Sequence, residues 1–463
     1  MKTYISPSLS VALFLVFSSA ASQAQQDIGI LFMNHLPQTT LQANPAVISN
    51  HSFALNLPSI HLGIANNAFS LGDLVQKSGG GEIFTLDQAI TQMRPKNNSL
   101  AQSLDFSGGA ILFKIKKKWQ IALFQSVQVH NQLLYPKALA ELLWHGNAAY
   151  LDQPLEIGPR INIAAYNVLG MGLAGQLNER VSAGVNIKAL NGLFCLQTTR
   201  SNLTARTRSA YYQLELESDV IFQTGGLGDI FDENSALNIE LPDPASFINT
   251  GNLGLSLDFG LLIKATDKLS IGASASNIGV LRWTTRTYQQ SSKGSFKYDG
   301  VTIRPFSAED DESSFSMDQV LDSLGNLLNF RSTSRNFETT LPGQVSLYSN
   351  YPWKAGLSMG AALQIQFWNG TTSINLAGQV QKQLGKIVDF GLNAGYNSRT
   401  GLHLGAAASL RLGPIQAFLL SDNLPLVFNP LLGRATNVRL GLNLVFGAKK
   451  IDLPEGEKKE AVK

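Results

Sequence analysis

Residues 437–446 read NVRLGLNLVF. Val438, Leu440, Leu442, Leu444 and Phe446 share one parity, Asn437, Arg439, Gly441 and Asn443 the other, and Val445 alone departs at the end. Period-2 alternation of this kind describes a β-strand with one oily and one polar face. Crossing a bilayer on a tilt takes about 9–11 residues, whereas ordinary strands centre on about 5–6. The same long pattern returns in VSAGVNIKA (181–189), LSIGASA (269–275), AGLSMGAALQIQF (355–367), VDFGLNAGY (388–396) and LHLGAAASLRL (402–412). Aliphatics on one side with small or polar residues on the other mark a membrane barrel with a wet lumen.

Composition agrees. Charged residues make up 15% of the chain, against roughly 25% in soluble domains. Yet the mean hydropathy is only +0.03, too low for a helical membrane bundle. Outside residues 9–20 no apolar run approaches a spanning helix. A net charge of +3 gives no ground for nucleic-acid binding. The expected class is therefore all-β: a transmembrane antiparallel β-barrel of about 14 strands, with an N-terminal segment and a few short helices.

Residues 1–24 read as a signal peptide: Lys2, then VALFLVF (11–17), then Ser22-Gln23-Ala24. Export to the cell outer membrane follows, with the barrel-assembly machinery as the partner that inserts the chain and outer-membrane lipid as its surroundings. Cys195 is the sole cysteine, so no internal disulfide forms, and it reads as a packed thiol. The barrel is assigned to 53–446, and 447–463, rich in Lys and Glu, to a charged periplasmic tail.

Strand-like runs lie near 53–64, 104–115, 119–130, 160–177, 181–196, 208–222, 253–264, 268–283, 355–368, 371–383, 387–397, 400–412, 415–421 and 436–446. This set of fourteen puts the similar turns LNERVS (177–182) and ATDKLS (265–270) on opposite sides. One hidden strand in each of 224–250 and 285–342 would give sixteen and remove that oddity; fourteen is the expectation. FSLGDLVQK (69–77), FTLDQAITQM (84–93) and MDQVLDSLGNLL (317–328) read as short helices. Trp119, Trp283, Trp353 and Trp368 all fall near strand ends and are assigned to aromatic girdles. Parity assigns Asn186, Lys188, Gln364, Asn375, Asn393, Arg411, Arg439 and Asn443 to the lumen.

Two apparent enzyme motifs fail on context. GMGLAG (170–175) fits a dinucleotide fingerprint, but an alternating strand follows where the phosphate-binding helix belongs. GLSMG (356–360), with Asp389 and His403 downstream, fits a nucleophile elbow, but Ser358 sits in mid-strand. The histidines lack metal-site spacing, and AEDDE (308–312) lacks a calcium loop's spaced ligands and glycine. No enzyme activity, cofactor or metal is expected.

HLPQTTLQANPAV (35–47) resembles the N-terminal "NPA" segment of FadL-like outer-membrane barrels. LGMGLAGQLNERVSAGVNIKALNG (169–192), the stretches 251–260 and 267–283, and SDNLPLVFNPLLGRATNVRLGLNLVFG (421–447) resemble blocks of a Bacteroidota barrel family of unknown function, FadL- and PorV-like. The resemblance implies fourteen strands and a plug over residues 25–52, with Asn44, Pro45 and Ala46 at its constriction. It also implies one of two roles: binding or conducting small hydrophobic molecules, or serving as a non-enzymatic partner of type IX secretion or gliding proteins. The small and amide-bearing lumen residues favour the first, because an ion pore would show rings of one charge.

Overall fold

The computed structural model describes residues 28–78, 81–116, 118–210, 213–227, 251–298, 328–385, 387–424, 429 and 433–447. The signal peptide, AEDDE, nearly all of the 317–328 helix and the tail beyond Gly447 lie outside the described residues. The wall consists of β1 (Phe53–Asn66), β2 (Asn98–Ile115), β3 (Trp119–Tyr135), β4 (Arg160–Gln176), β5 (Val181–Thr207), β6 (Leu253–Lys264) and β7 (Ser270–Trp283). It continues through β8 (Gly343–Lys354), β9 (Leu357–Trp368), β10 (Thr371–Leu384), β11 (Val388–Asn397), β12 (Gly401–Leu412), β13 (Ile415–Ser421) and β14 (Ala435–Phe446). Each pairs antiparallel with the next, and β14 returns to β1 from Phe53↔Phe446 to Ala65↔Ala435. The fourteen strands thus close a barrel, the arrangement by which a sheet can span a bilayer.

The expected number holds, but the membership differs. Strand 214–225 stands outside the ring, paired with the far end of β5, and the unanticipated β8 takes its place between β7 and β9. This exchange removes the turn anomaly without a sixteenth strand. The amide of Lys264 donates to the Arg180 carbonyl at 2.8 Å, so the turns after β4 and β6 lie side by side. They belong to a short-turn rim that also holds Lys116, Lys118, Ala355, Gly356, Gly385, Ile387, Gly413 and Pro414, and both ends of the ring. Most of the opposite rim carries long connections, so it is the long-loop rim.

Outward positions are apolar wherever the wall is full height: Leu62 and Ile64 on β1, Leu169, Met171 and Leu173 on β4, Leu440 and Leu442 on β14 are all exposed. Their polar neighbours, among them His61, Asn437, Arg439 and Asn443, are buried inside. A surface of this kind is stable only against lipid. The glycines of GMGLAG lie within β4. A Cβ at Gly170 would stand 2.1 Å from the Phe124 ring, and one at Gly175 would stand 2.3 Å from that of Trp119. Gly170 and Gly175 thus accommodate aromatic rings, and Gly172 leaves room for the Asn186 side chain.

The girdle assignment needs correction at two positions. Trp119 and Trp353 are 41% and 53% exposed at the short-turn rim, but Trp283 is fully buried and Trp368 is nearly so. On β9 the outward residues are Leu363, Ile365 and Phe367, so parity alone turns Trp368 inward. On β7 the cause is a bulge. Asn277 adopts φ 59°, a left-handed conformation that asparagine tolerates, and the β6–β7 register shifts between Leu257 and Phe259. Beyond it the two faces exchange, and Trp283 enters the lumen.

Trp283 also anchors an extension of the wall. β5 runs on past its last β6 pair and carries strand 214–225, then 288–298, then 331–334, and strand 337–340 returns to the end of β7. The Trp283 indole stacks on Phe337, donates to Thr339 Oγ1 at 2.9 Å and fills the space left by Gly192 and Gly225. Cys195 is buried in the same cluster. On the long-loop rim the helices Asp87–Gln92 and Lys137–His145 cap the β1 end. FSLGDLVQK keeps only one helical turn, Leu71–Leu74, before a hairpin strand.

Candidate functional site: the barrel lumen

Residues 28–49 fold inside the ring and are buried along nearly their whole length. Toward β8–β13 the contact is apolar: Ile28, Ile30, Leu31, Phe32, Met33 and Leu36 pack on Tyr348, Ala362, Ala377, Ala407, Phe418 and Leu420. Elsewhere it is polar. Asp422 accepts the Ile28 and Gly29 amides at 2.7 and 3.2 Å, and Gln38 exchanges hydrogen bonds with Asn443 at 2.6 and 3.1 Å. Each such bond contributes about 0.5–1.5 kcal/mol net, more where a carboxylate accepts.

The three residues assigned to the constriction come together on one patch of wall. Asn44 Nδ2 lies 3.2, 3.3 and 3.1 Å from Leu261 O, Ala273 O and Tyr348 Oη, while its Oδ1 accepts the Ala46 amide. The patch is smooth because Gly184 and Gly260 are cross-strand partners. A Cβ on Gly184 would stand 2.2 Å from Pro45 O, and one on Gly260 would stand 2.2 Å from Asn44 Oδ1.

The lumen candidates divide by side of the barrel. Lys188 lies 2.7 Å from Asp258 and donates to Asn277 Oδ1 at 2.8 Å. Asn186 donates to Asp258 Oδ2 at 3.0 Å, and the Asn277 amide to its Oδ1 at 2.8 Å. Arg439 donates to Gln42 and lies 4.0 Å from Asp105. Lys188, Asn277, Arg439 and Asp105 border a cavity of about 50 Å³. Across the lumen Asn375 pairs with His403 Nε2 at 2.9 Å, Asn393 donates to Asp422, and Gln364 accepts from Gln366. Arg411 turns to the short-turn rim and donates to Gly413 O. Asp258, Asp105, Asp422 and Asn277 went unnoticed in the sequence, although a carboxylate within an alternating strand, as in LDF (257–259), was a usable signal.

His35 makes a constellation that the sequence did not reveal. Its Nδ1 lies 3.1 Å from Asp389 Oδ2, and its Nε2 lies 2.8 Å from Ser409 Oγ. The order resembles a hydrolase relay, which also requires substrate access to the serine and donors for an oxyanion. Ser409 is 5% exposed and sits directly across the ladder from Asp389, whose other oxygen accepts from Gln381 at 2.7 Å. The trio fastens the lumenal segment to β11 and β12. His403, placed by the sequence in a hydrolase order with Ser358 and Asp389, faces Asn375 instead.

A larger cavity, of about 880 Å³, lies where β13 stops short. β12 pairs with β13 only from Ala406 to Leu412, and β14 pairs with it only from Arg439 to Leu444. Gly401–Gly405 therefore lack a described strand partner on that side. The cavity is lined by lipid-facing Leu376, Tyr396 and Leu402, and by inward His403 and Asn423.

An aliphatic outer band, a polar inner face and a closed antiparallel ring define a transmembrane β-barrel of the outer-membrane type. The chain belongs to DUF5723, a family of unknown function whose profile matches residues 45–422. No curated protein matches it. Among solved structures it is similar to the toluene transporter TbuX of Ralstonia pickettii, at 9% identity and TM-score 0.44 over 93% of this chain and 98% of that one. It is also similar to a Pseudomonas aeruginosa FadL homologue, at 14% identity and TM-score 0.42 over 93% and 99%. The toluene transporter TodX of Pseudomonas putida matches at 8% identity and TM-score 0.41 over 92% and 95%.

Proposed function

We propose that this protein is an outer-membrane barrel that binds and conducts small hydrophobic solutes, with residues 25–52 as its plug. The observation that carries the reading is the cavity beside β13. Its lining passes from Leu376 and Leu402 on the lipid face to His403 and Asn423 within, so an apolar molecule has a route that avoids the polar belt around Lys188 and Asp258. The Asn44–Ala46 seat and the His35 and Asp422 contacts close the axial route.

The test is entry of a solvatochromic apolar dye into proteoliposomes, run beside swelling in a disaccharide. Faster dye entry without swelling supports the reading. Dye entry equal to that of empty liposomes removes it.

The extension carried by β5 favours a second reading, a scaffold that offers its outer sheet to a secreted partner. Loss of every co-purifying protein on removal of residues 208–252 and 284–342, with the barrel intact, would favour that role.

A further inference from the structure

Among the described residues, the long-loop rim of the same cavity gathers positive charge with no acid paired to it. Arg434 and Thr400 line the cavity, and Arg399 immediately precedes Thr400 in the turn between β11 and β12. Arg434 donates to Gln92 at 3.1 Å. Among the described residues, the buried Arg399 Nη1 and Thr400 Oγ1 find no hydrogen-bond partner. Burial, and then the nearby charge of Arg94, hold the Arg399 guanidinium below its ordinary value. A desolvated cation beside a second cation is costly unless an anion joins them. Below the arginines the mouth is oily: Leu402 is 86% exposed, and Leu376, Tyr396 and Leu404 are exposed on the same lipid-facing side.

We infer that this rim seats the phosphate headgroup of an outer-leaflet lipid, bound by Arg399, Arg434 and Thr400, with an acyl chain lying over Leu376, Leu402 and Leu404. Three features select a membrane lipid over a solute in transit. The cations stand at the long-loop rim, where headgroups of the outer leaflet lie. The apolar surface beneath them faces the bilayer, not the lumen. Guanidinium groups suit the forked oxygens of a phosphate, and a doubly charged head offsets more than one of them. The inference rests on the barrel spanning the outer membrane and does not require solute passage.

The test uses full-length protein, extracted in mild detergent, delipidated, and placed in phosphatidylethanolamine nanodiscs. Each sample contains one added probe: bis-phosphorylated lipid A, the same lipid dephosphorylated, or oleate. Native mass spectrometry reads what stays bound. Bis-phosphorylated lipid A is expected to be retained and the dephosphorylated form lost. Arg399→Gln and Arg434→Gln should each weaken retention roughly tenfold, with Arg399→Lys in between. Heat-modifiable migration on gels confirms that each variant is a folded barrel, and Thr400→Val provides a milder probe of the same seat.

Equal retention of both lipid A forms would overturn the inference. So would retention of oleate with the same arginine dependence, which would make the rim a carboxylate site. Dye entry that persists in Arg399→Gln while lipid retention is lost would separate this seat from the conducting role. Dye entry that is absent while phosphate-dependent retention persists would leave the seat standing alone.

Discussion

Gly260→Leu should unseat the lumenal segment while leaving the wall intact. Gly260 points inward from β6, next to Gly184 and across from Ser274. A Cβ there would lie 2.2 Å from Asn44 Oδ1 and 2.6 Å from the Ala46 nitrogen, and the second of these is backbone that cannot swing aside. Eviction forfeits the contacts of Asn44 Nδ2, which has two hydrogens to share among Leu261 O, Ala273 O and Tyr348 Oη. At about 1 kcal/mol per bond the loss is about 2 kcal/mol, and overpacking adds roughly 1–2 kcal/mol. A total of about 3–4 kcal/mol shifts the seating equilibrium on the order of 10² to 10³-fold. The segment holds no Lys or Arg, so chymotrypsin, cutting after Phe32 and Leu41, is the suitable protease. The variant should show accelerated cleavage there and raised conductance in planar bilayers, with heat-modifiable migration unchanged. Protection and conductance equal to the parent, in a folded variant, would refute the claim that this glycine pair is the seat.

Trp283→Ala should cost about 3–5 kcal/mol, because a fully buried indole loses its stacking on Phe337 and its bond to Thr339. The loss should appear as early proteolysis of the extension before the barrel unfolds; simultaneous loss of both would contradict an anchoring role. Lys188→Met strands the buried Asp258 and should cost about 3–5 kcal/mol in urea unfolding, with most of it recovered in the Lys188→Met, Asp258→Asn pair. On the loop cap, hydrogen bonds from His145, Thr85 and Trp144 hold the Asp87 carboxyl below its ordinary range. A lowered folded-state value means that its stabilisation is present above the unfolded value and is lost as pH falls through the folded one. Trp144 emission should therefore hold steady through the usual carboxylate range and change only in stronger acid, and Asp87→Asn should abolish that change.

The wall was legible because lipid outside and polar groups inside leave a period-2 trace over lengths that a sandwich does not need. Alternation reports that a strand has two environments but does not say what they are. Leu214–Gly225 alternates as cleanly as a wall strand, yet it pairs with β5 beyond the ring. Gly343–Lys354 alternates too, with Val345, Leu347, Tyr351 and Trp353 outward. Its buried, inward Tyr348 and its exposed Pro352 blur the contrast that identifies a strand. The bulge at Asn277 was hidden for another reason. One extra residue reverses every later assignment on β7, and no composition signal accompanies it, since asparagine serves equally well as a lumen residue.

In the lumen, parity placed Asn186, Lys188, Arg439 and Asn443 inside but could not say what they would meet, because each partner depends on register and on a segment far away in the chain. Gln38 and Asn443 are 405 residues apart, and His35 and Ser409 are 374. The two glycines that receive Asn44–Ala46 looked like ordinary small residues until β5 and β6 were aligned, when they fell opposite each other. A closed polar interior must satisfy its donors and acceptors with water or with chain. Asp422 shows which is used here: Asn393 and Asn437 side chains hold its carboxylate, and its two oxygens accept the first described amides of the lumenal segment. Wall and segment therefore complete one hydrogen-bond network, and any opening along the barrel axis must break these bonds before it moves a strand.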